Sequence, residues 1–198
     1  TGMPTTMSMS TAGVLSGTPV NADVGTYTII VTATDVAGVA VSDTFVLTVV
    51  NTNDAPTISS TAVLAATEDA GYTYTVTTSD VDTGDGITMA GTTVPSWLSF
   101  DVSTGVLAGT PLNADVGDHA VVITATDTAG AAVTDSFTIT VANTNDAPTV
   151  ATVIADASTA EDALYSVDIS GNFADVDVGD TLTYAATGMP TTMSMSTA

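Results

Sequence analysis

The sequence is dominated by an internal repeat with a spacing of 92 to 94 residues. The run Asn-Thr-Asn-Asp-Ala-Pro-Thr at residues 51–57 recurs unchanged at residues 143–149, 92 residues later. The run Asn-Ala-Asp-Val-Gly at residues 21–25 recurs at residues 113–117, with the same spacing. This spacing is too long for a solenoid repeat and suits a small domain. The sequence therefore predicts consecutive copies of one domain.

The repeat also predicts how the chain is divided. Counted from the Asn-Asp-Ala-Pro run, residues 54–145 form one complete repeat, residues 1–53 the C-terminal half of a repeat, and residues 146–198 the N-terminal half of another. Residues 187–198 are identical to residues 1–12, so the sequence closes on itself after two repeats. We interpret the chain as a window, slightly longer than one period, from an array with a two-domain period. Half a sandwich exposes strand edges, so the half-domains are expected to pair head to tail between chains and build filaments.

The charge of the chain excludes several classes of function. It contains 22 acidic residues, no Lys or Arg, no Cys and a single His, which gives a formal net charge of -22 over 198 residues. Without cations it cannot neutralise the phosphates of nucleic acids or dock on anionic membranes. No apolar run approaches the length of about 18 residues that membrane insertion needs. A P-loop, an arginine clamp, a Schiff-base lysine and a cysteine nucleophile are all impossible without Lys, Arg and Cys, so we predict that the chain is not an enzyme.

Short alternating segments predict an all-β fold. Residues 72–77, 120–126 and 136–141 alternate apolar with polar side chains, and turn residues recur every 8 to 12 positions. This pattern is typical of half-buried strands in a β-sandwich. We expect two face-to-face antiparallel sheets of about seven strands in each repeat. Leu98 and Phe100 should face the core, with Met7 and Met9 in the same positions of the other repeat.

The order of motifs resembles that of bacterial dystroglycan-type cadherin-like (CADG) repeats. The motifs are Glu-Asp at 68–69, Asp-Val-Asp-x-Gly-Asp at 80–85, Ser-Trp-Leu-Ser-Phe at 96–100, Asn-Ala-Asp-Val-Gly, Ala-Thr-Asp and the Asn-Thr-Asn-Asp-Ala-Pro linker. The resemblance covers almost the whole chain. It implies tandem cadherin/immunoglobulin-like Greek-key β-sandwiches from giant secreted adhesins or surface proteins, and therefore an extracellular location.

The same resemblance implies calcium ions at the junctions between domains. Ca²⁺ binds six to eight oxygen ligands from carboxylates, amides and carbonyls, and all-oxygen ligands favour it over softer cations. For the first junction the predicted ligands are Asp23, Asn51, Asn53, Asp54, Glu68, Asp69, Asp80, Asp82 and Asp127. For the second junction they are Asp115, Asn143, Asn145, Asp146, Glu161, Asp175 and Asp177, with Asp35 supplied by the completing half-domain. The Asp-Arg-Glu motif of cadherins has no literal match here, and Asn51 and Asn143 replace the usual linker Asp, which leaves the number of ions per junction open.

Several of the acidic and aromatic residues have other interpretations. Asp and Asn are also ordinary turn residues, and this explanation is preferred for Asp43, Asp101 and Asp118. Trp97 could stack on a sugar, but a core position is favoured because its counterpart in the other repeat is Thr6. His119 corresponds to Tyr27, which favours a packing role.

The function predicted from the sequence is a structural extender of an extracellular fibre or cell-surface adhesin. Its expected partners are neighbouring copies of the same repeat, in a tandem array or a head-to-tail filament. The alternative is a carbohydrate-binding or homophilic adhesion module of an exported protein, with surface glycans as its partners.

Overall fold

The computed structural model describes residues 2–195, which form three consecutive groups of strands. The first group consists of two antiparallel hairpins, with a 3-10 turn at Asn21–Asp23 between them. Its strands are β1 (Met7–Met9), β2 (Leu15–Gly17), β3 (Gly25–Thr34) and β4 (Ala40–Val49), paired as β1 with β2 and β3 with β4.

The middle group forms a complete sandwich. A four-stranded sheet has the order β6-β13-β12-β9, a three-stranded sheet has the order β10-β11-β7, and β5 pairs with β8. The strands are β5 (Thr57–Ile58), β6 (Ala65–Thr67), β7 (Tyr72–Thr75), β8 (Thr78–Ser79), β9 (Thr88–Thr93), β10 (Leu98–Asp101), β11 (Val106–Gly109), β12 (Gly117–Thr126) and β13 (Ala132–Ala142). A second 3-10 turn, Asn113–Asp115, precedes β12.

The last group contains little regular structure. Strand β14 (Thr149–Val150) pairs with β15 (Phe173–Ala174), and a 3-10 turn at Ser170–Asn172 precedes β15. Within residues 2–195, no helix is long and apolar enough to cross a membrane.

The two sheets of the middle domain share one core. Leu107 from the three-stranded sheet and Val121, Ile123 and Ile139 from the four-stranded sheet are fully buried in it. The prediction of an all-β sandwich with about seven strands in its two sheets is therefore confirmed. The expectation of purely antiparallel sheets was wrong in one place, because β6 pairs with β13 in parallel.

The strand registers show that the two hairpins β1–β2 and β10–β11 are equivalent. Met7 lies opposite Gly17, as Leu98 lies opposite Gly109. Leu98 is buried and Phe100 packs against the same core, so their predicted common face is confirmed. Met7 occupies the position of Leu98, which confirms the alignment of this strand between the repeats.

Gly109 allows two strands of the middle domain to approach closely. A Cβ atom at this position would overlap the backbone carbonyl of Trp97, which directly precedes the neighbouring strand β10, whereas a Cβ at Gly71 would meet no atom within 4 Å. We expect Gly109→Ala to lower the free energy of unfolding by about 1–3 kcal/mol, because the backbone must shift to relieve the overlap. Gly71→Ala should change it by less than about 1 kcal/mol. Urea unfolding followed by Trp97 fluorescence measures both; equal effects would contradict this explanation.

Candidate metal centre at the domain junctions

Three carboxylates meet at the end of the middle domain that faces the first segment. Oxygens of Asp80, Asp85 and Asp127 all lie within 4.8 Å of one another. Asp80 and Asp85 come from the loop after β8, and Asp127 follows the last residue of β12. Strand β12 thus places Asp127, the residue that directly follows it, beside the loop that contains Asp80 and Asp85.

One linker residue contacts this carboxylate group, and a second contacts Asp82, whose backbone N–H donates to Oδ1 of Asp80. The Nδ2 of Asn53 donates a hydrogen bond to Oδ2 of Asp127 at 2.9 Å. The backbone N–H of Asp54 donates to Oδ2 of Asp82 at 2.7 Å. The linker is therefore attached to the middle domain by Asp127 of this group and by the neighbouring Asp82.

A side chain of the first segment contacts Asp54 and Asp82 beside this cluster. The Nδ2 of Asn21, in the 3-10 turn before β3, donates to Oδ2 of Asp54 at 2.8 Å and lies 3.4 Å from Oδ1 of Asp82. The first junction thus brings together groups from the preceding segment, the linker and the next domain. Of the residues predicted for it, Asn53, Asp54, Asp80, Asp82 and Asp127 lie together.

The donor set at this junction fits a hard divalent cation. Two oxygens bound to one Ca²⁺ ion lie at most about 5.2 Å apart, given Ca–O distances of about 2.3–2.6 Å, so three carboxylates within 4.8 Å of one another can share one ion. One oxygen of Asp80, Oδ2, is buried without a hydrogen-bond partner among the described residues. A buried carboxylate oxygen beside two further carboxylates is unfavourable, and the sequence has no Lys or Arg to compensate it.

The second junction repeats this arrangement. The Nδ2 of Asn113 donates to Oδ1 of Asp177 at 3.0 Å, and the backbone N–H of Asp146 donates to Oδ2 of Asp177 at 2.8 Å. The N–H of Asp177 donates to Oδ1 of Asp175, as the N–H of the equivalent Asp82 donates to Asp80. Carboxylates of Asp175, Asp177 and Asp180 lie within 4.8 Å of one another.

Glu68 and Asp69 belong to the second junction, so their predicted position at the first junction was wrong. Their carboxylates lie within 4.8 Å of that of Asp146. The N–H of Glu68 donates to the carbonyl of Ala142, and its Oε2 accepts from the N–H of Thr144. The physical reason is the parallel pairing of β6 with β13, which carries the chain from the first linker to the opposite end of the domain.

Four further predicted ligands are exposed, and among the described residues they form no hydrogen bond with the clustered carboxylates. Glu161 is exposed, and as the counterpart of Glu68 it is expected at the far end of the third repeat rather than at the second junction. Asp35 is exposed after β3 and accepts from the N–H of Val39. Asn51 and Asn143 are exposed in the linkers.

Asp23 and Asp115 hold the turns from which Asn21 and Asn113 project. Asp23 is buried and accepts hydrogen bonds from the Oγ1 of Thr6 and the N–H of Val20. Asp115 accepts from the N–H of Leu112 at 3.0 Å. Both carboxylates therefore stabilise the backbone of the turn that carries the Asn side chain.

Hydrogen bonds lower the pKa values of two junction carboxylates. The pKa of Asp127 is lowered, mainly by the amide of Asn53 and also by backbone N–H groups including that of Ala131. The pKa of Asp23 is lowered, mainly by the hydroxyl of Thr6 and then by the N–H of Val20. A lowered pKa stabilises the folded form above the unfolded value of about 3.9, and this stabilisation is lost as the pH falls through the folded pKa.

Removal of the Thr6 hydroxyl is expected to raise the pKa of Asp23. In Thr6→Val the carboxylate loses its strongest hydrogen-bond donor, so its pKa should move upward towards the ordinary value. Acid destabilisation of the first segment should then begin at a higher pH. Carboxyl ¹³C chemical shifts recorded across a pH titration measure this directly, with the exposed Thr11→Val as the matched control. An unchanged Asp23 titration in Thr6→Val would contradict the assignment.

Several residues of these clusters were missing from the sequence prediction. Asn21 and Asn113 connect adjoining units, and Asp85 and Asp180 complete the carboxylate groups. The only indication in the sequence that these residues take part in the sites is that the motifs containing them occur in both repeats. Their side-chain types are equally common in turns.

The two aromatic candidates pack inside the middle domain. The Trp97 ring contacts Tyr72 and His119 edge to face, each with ring centroids 5.8 Å apart. The Nε2 of His119 lies 2.6 Å from the carbonyl oxygen of Asp115. These contacts agree with the packing roles preferred from the sequence.

Comparison with known proteins supports the same architecture. The family described as "Putative Ig domain" matches residues 1–50 and 55–142. Among curated proteins, two forms of the "Serine-rich adhesin for platelets" of Staphylococcus aureus are 30% identical over 138 residues, which is 69% of this chain. The chain spans only 6% of one of these proteins and 10% of the form from strain MRSA252.

Solved structures with a similar fold include cadherin domains. A protocadherin gamma B3 fragment has a TM-score of 0.52 at 17% identity, covering 72% of this chain and 40% of the fragment. Protocadherin gamma B7 domains 1–4 give 0.50 at 18% identity, covering 77% and 42%. The comparisons thus show an Ig-like family and a cadherin-like fold, with sequence similarity to a staphylococcal adhesin, and they do not single out the dystroglycan-type repeat. The chain belongs to the "Putative Ig domain" family.

Proposed function

We propose that this chain is a structural extender of a long extracellular fibre or cell-surface adhesin, stiffened by calcium at its domain junctions. The observation that carries the proposal is the repetition of one hydrogen-bonded arrangement at both junctions. At each junction, one Asp of the next unit accepts a hydrogen bond from the side chain of an Asn in the preceding unit and another from the backbone N–H of a linker Asp. The similarity to a staphylococcal adhesin supports the surface location.

Calcium would act by joining three parts of the chain that otherwise meet only through hydrogen bonds. At the second junction, Glu68 and Asp69 come from one domain, Asp146 from the linker, and Asp175 and Asp177 from the next unit. An ion bound between them removes hinge freedom from the linker and neutralises part of the carboxylate charge. A complete set of ligands at the second junction includes a counterpart of Asp127 from the next repeat. Asp35 is that counterpart in the repeat sequence, and we propose that it supplies this ligand from the completing half-domain.

The overall charge suits an extender. The net charge of -22 makes neighbouring rods repel each other and remain soluble. The charge disfavours an anionic ligand. The partners that we propose are neighbouring copies of the repeat, joined in series or head to tail through their half-domains.

Thermal unfolding with and without calcium tests this proposal. We expect millimolar Ca²⁺ to raise the melting temperature, because an ion that binds only the folded form stabilises it by mass action. Excess chelator should reverse the effect, and Mg²⁺ should replace Ca²⁺ poorly, because it needs a smaller and more regular oxygen shell. Identical melting temperatures in calcium and chelator would contradict the proposal.

A further inference from the structure

The two junctions hold their Asn-bearing turns in different ways. In the first segment, the Oγ1 of Thr6 donates a hydrogen bond of 2.6 Å to Oδ2 of Asp23, the last residue of the 3-10 turn. In the middle domain, the residue that corresponds to Thr6 is Trp97, whose side chain has no hydroxyl group to donate to Asp115. The side chain that reaches the second turn is His119, whose Nε2 lies 2.6 Å from the backbone carbonyl oxygen of Asp115.

The contact with Asp115 defines which nitrogen of the His119 ring carries a proton. A carbonyl oxygen only accepts hydrogen bonds, so Nε2 carries the proton and donates it. The ring packs edge to face against Trp97, which packs in the same way against Tyr72. Tyr72 is buried, and its hydroxyl donates to the carbonyl of Val63 at 2.7 Å. The imidazole is therefore supported by a row of rings that is fixed in the core.

The hydrogen bond of His119 spans the glycine at which the turn joins β12. Gly117 has a φ of 123°, a conformation that favours glycine, and a Cβ atom there would meet nothing within 4 Å. The backbone can therefore bend at this position between the turn and the sheet. On the sheet side, His119 lies opposite the fully buried Ile139. Its bond to Asp115 thus ties the turn to the core across the glycine.

The turn held by His119 carries the side chain that contacts the next unit. The N–H of Asp115 donates to the carbonyl of Leu112 at 2.7 Å, and the N–H of Leu112 donates to Oδ2 of Asp115 at 3.0 Å. Asn113 lies between these two residues, and its Nδ2 donates to Oδ1 of Asp177 at 3.0 Å. A change in the angle between the turn and β12 would move this amide away from the carboxylate.

We propose that His119 is the positioning residue of the second junction. Its hydrogen bond holds the turn so that Asn113 meets Asp177, whereas Thr6 holds the equivalent turn at the first junction through its hydroxyl. The two junctions thus differ in the side chain that sets their geometry. The consequence for calcium affinity rests on the proposed function, and the consequence for the Asn113 amide does not.

Nuclear magnetic resonance of the Asn113 side-chain amide tests the proposal without calcium. His119→Phe keeps an aromatic ring against Trp97 and removes the donor to Asp115. His119→Gln restores a donor, because the Gln Nε2 reaches about as far from the backbone as the imidazole Nε2. In chelator, we expect the Asn113 amide resonances to move towards those of an exposed amide in His119→Phe and to stay near the parent positions in His119→Gln. Unchanged resonances in His119→Phe, or an equal shift in His119→Gln, would overturn the proposal.

Tyr27→Phe is the matched control at the first junction. Tyr27 is the third residue of β3, as His119 is the third residue of β12. Because Thr6 holds the first turn, Tyr27→Phe should leave the Asn21 amide resonances unchanged, and Thr6→Val should shift them. A shift in Tyr27→Phe with none in Thr6→Val would refute the difference between the junctions. This pair tests the proposal even if His119→Phe does not fold, which urea unfolding followed by Trp97 fluorescence would reveal.

Calcium titration tests the consequence for the second junction. It is made in the Asp80→Asn background, which weakens the first junction, so that binding at the second junction dominates. We expect His119→Phe to weaken calcium binding there several-fold, because a ligand carboxylate that loses its hydrogen-bond partner is held less firmly. His119→Gln should bind like its parent. Equal affinities in His119→Phe and its parent would contradict the positioning of Asp177 through Asn113.

These results are distinguishable from failure of the proposed function. If the parent chain binds no calcium but the Asn113 amide shifts in His119→Phe, the calcium joint is refuted and the positioning role of His119 stands. If the parent chain binds calcium and the amide does not shift, the positioning role is refuted and the extender remains supported.

Discussion

Asp80→Asn is expected to weaken calcium binding at the first junction by at least about tenfold, equivalent to about 1.4 kcal/mol. The substitution keeps the shape of the side chain and replaces a charged ligand with a neutral one. In chelator the same variant should be at least as stable as the parent, because it removes negative charge from a group of three carboxylates within 4.8 Å. Lower stability than the parent in calcium, together with equal or higher stability in chelator, distinguishes loss of an ion from damage to the fold.

Calorimetric calcium titration and thermal unfolding provide the two readouts. Asp43→Asn is the matched control, because Asp43 is exposed on β4, away from the clusters. Asp175→Asn is the equivalent change at the second junction and should weaken binding there by a similar factor. The ligand assignment would be refuted if Asp80→Asn and Asp43→Asn bound calcium with the same affinity as the parent.

Leu107→Ala is expected to lower the free energy of unfolding of the middle domain by about 3 kcal/mol. Leu107 is 0% exposed at the centre of the sandwich, opposite Tyr74 on one neighbouring strand and Phe100 on the other. Truncation of a fully buried Leu loses its transfer free energy and leaves a cavity, and such changes cost about 2–5 kcal/mol.

Urea unfolding followed by tryptophan fluorescence reports on this domain specifically, because Trp97 is the only Trp in the sequence. The control is Leu112→Ala, at a side chain that is 60% exposed beside the second 3-10 turn, where the change should be within about 0.5 kcal/mol. Comparable losses in both variants would show that the core is not where the structure places it.

The repeat and the alternating strands allowed the fold to be predicted from the sequence. Two copies of each motif fixed the alignment of Met7 with Leu98, which the strand registers confirm. The parallel β6–β13 pair could not be predicted, because short strands give no indication of their partners. Glu68 was therefore assigned to the wrong end of its domain, since position in the chain does not show which end a short strand reaches.

The candidate site was predictable where carboxylates cluster in the sequence. Asp80 and Asp82 lie two residues apart in one motif, and Asp127 follows a strand that had been recognised. Asn21 was missed because an amide in a turn is chemically ordinary until its distance to Asp54 is known. The assembly of this site depends on contacts between units, which a local pattern cannot specify.

Small-angle X-ray scattering in calcium and in chelator tests the central claim most directly. The measurement should be made at a concentration where sedimentation shows the chain to be monomeric, so that association does not alter the particle length. The calcium-stiffened extender predicts a longer maximum dimension and a narrower distance distribution in millimolar Ca²⁺ than in chelator, and loss of this difference in the Asp80→Asn/Asp175→Asn double variant. Identical scattering of the parent chain in both conditions would contradict it.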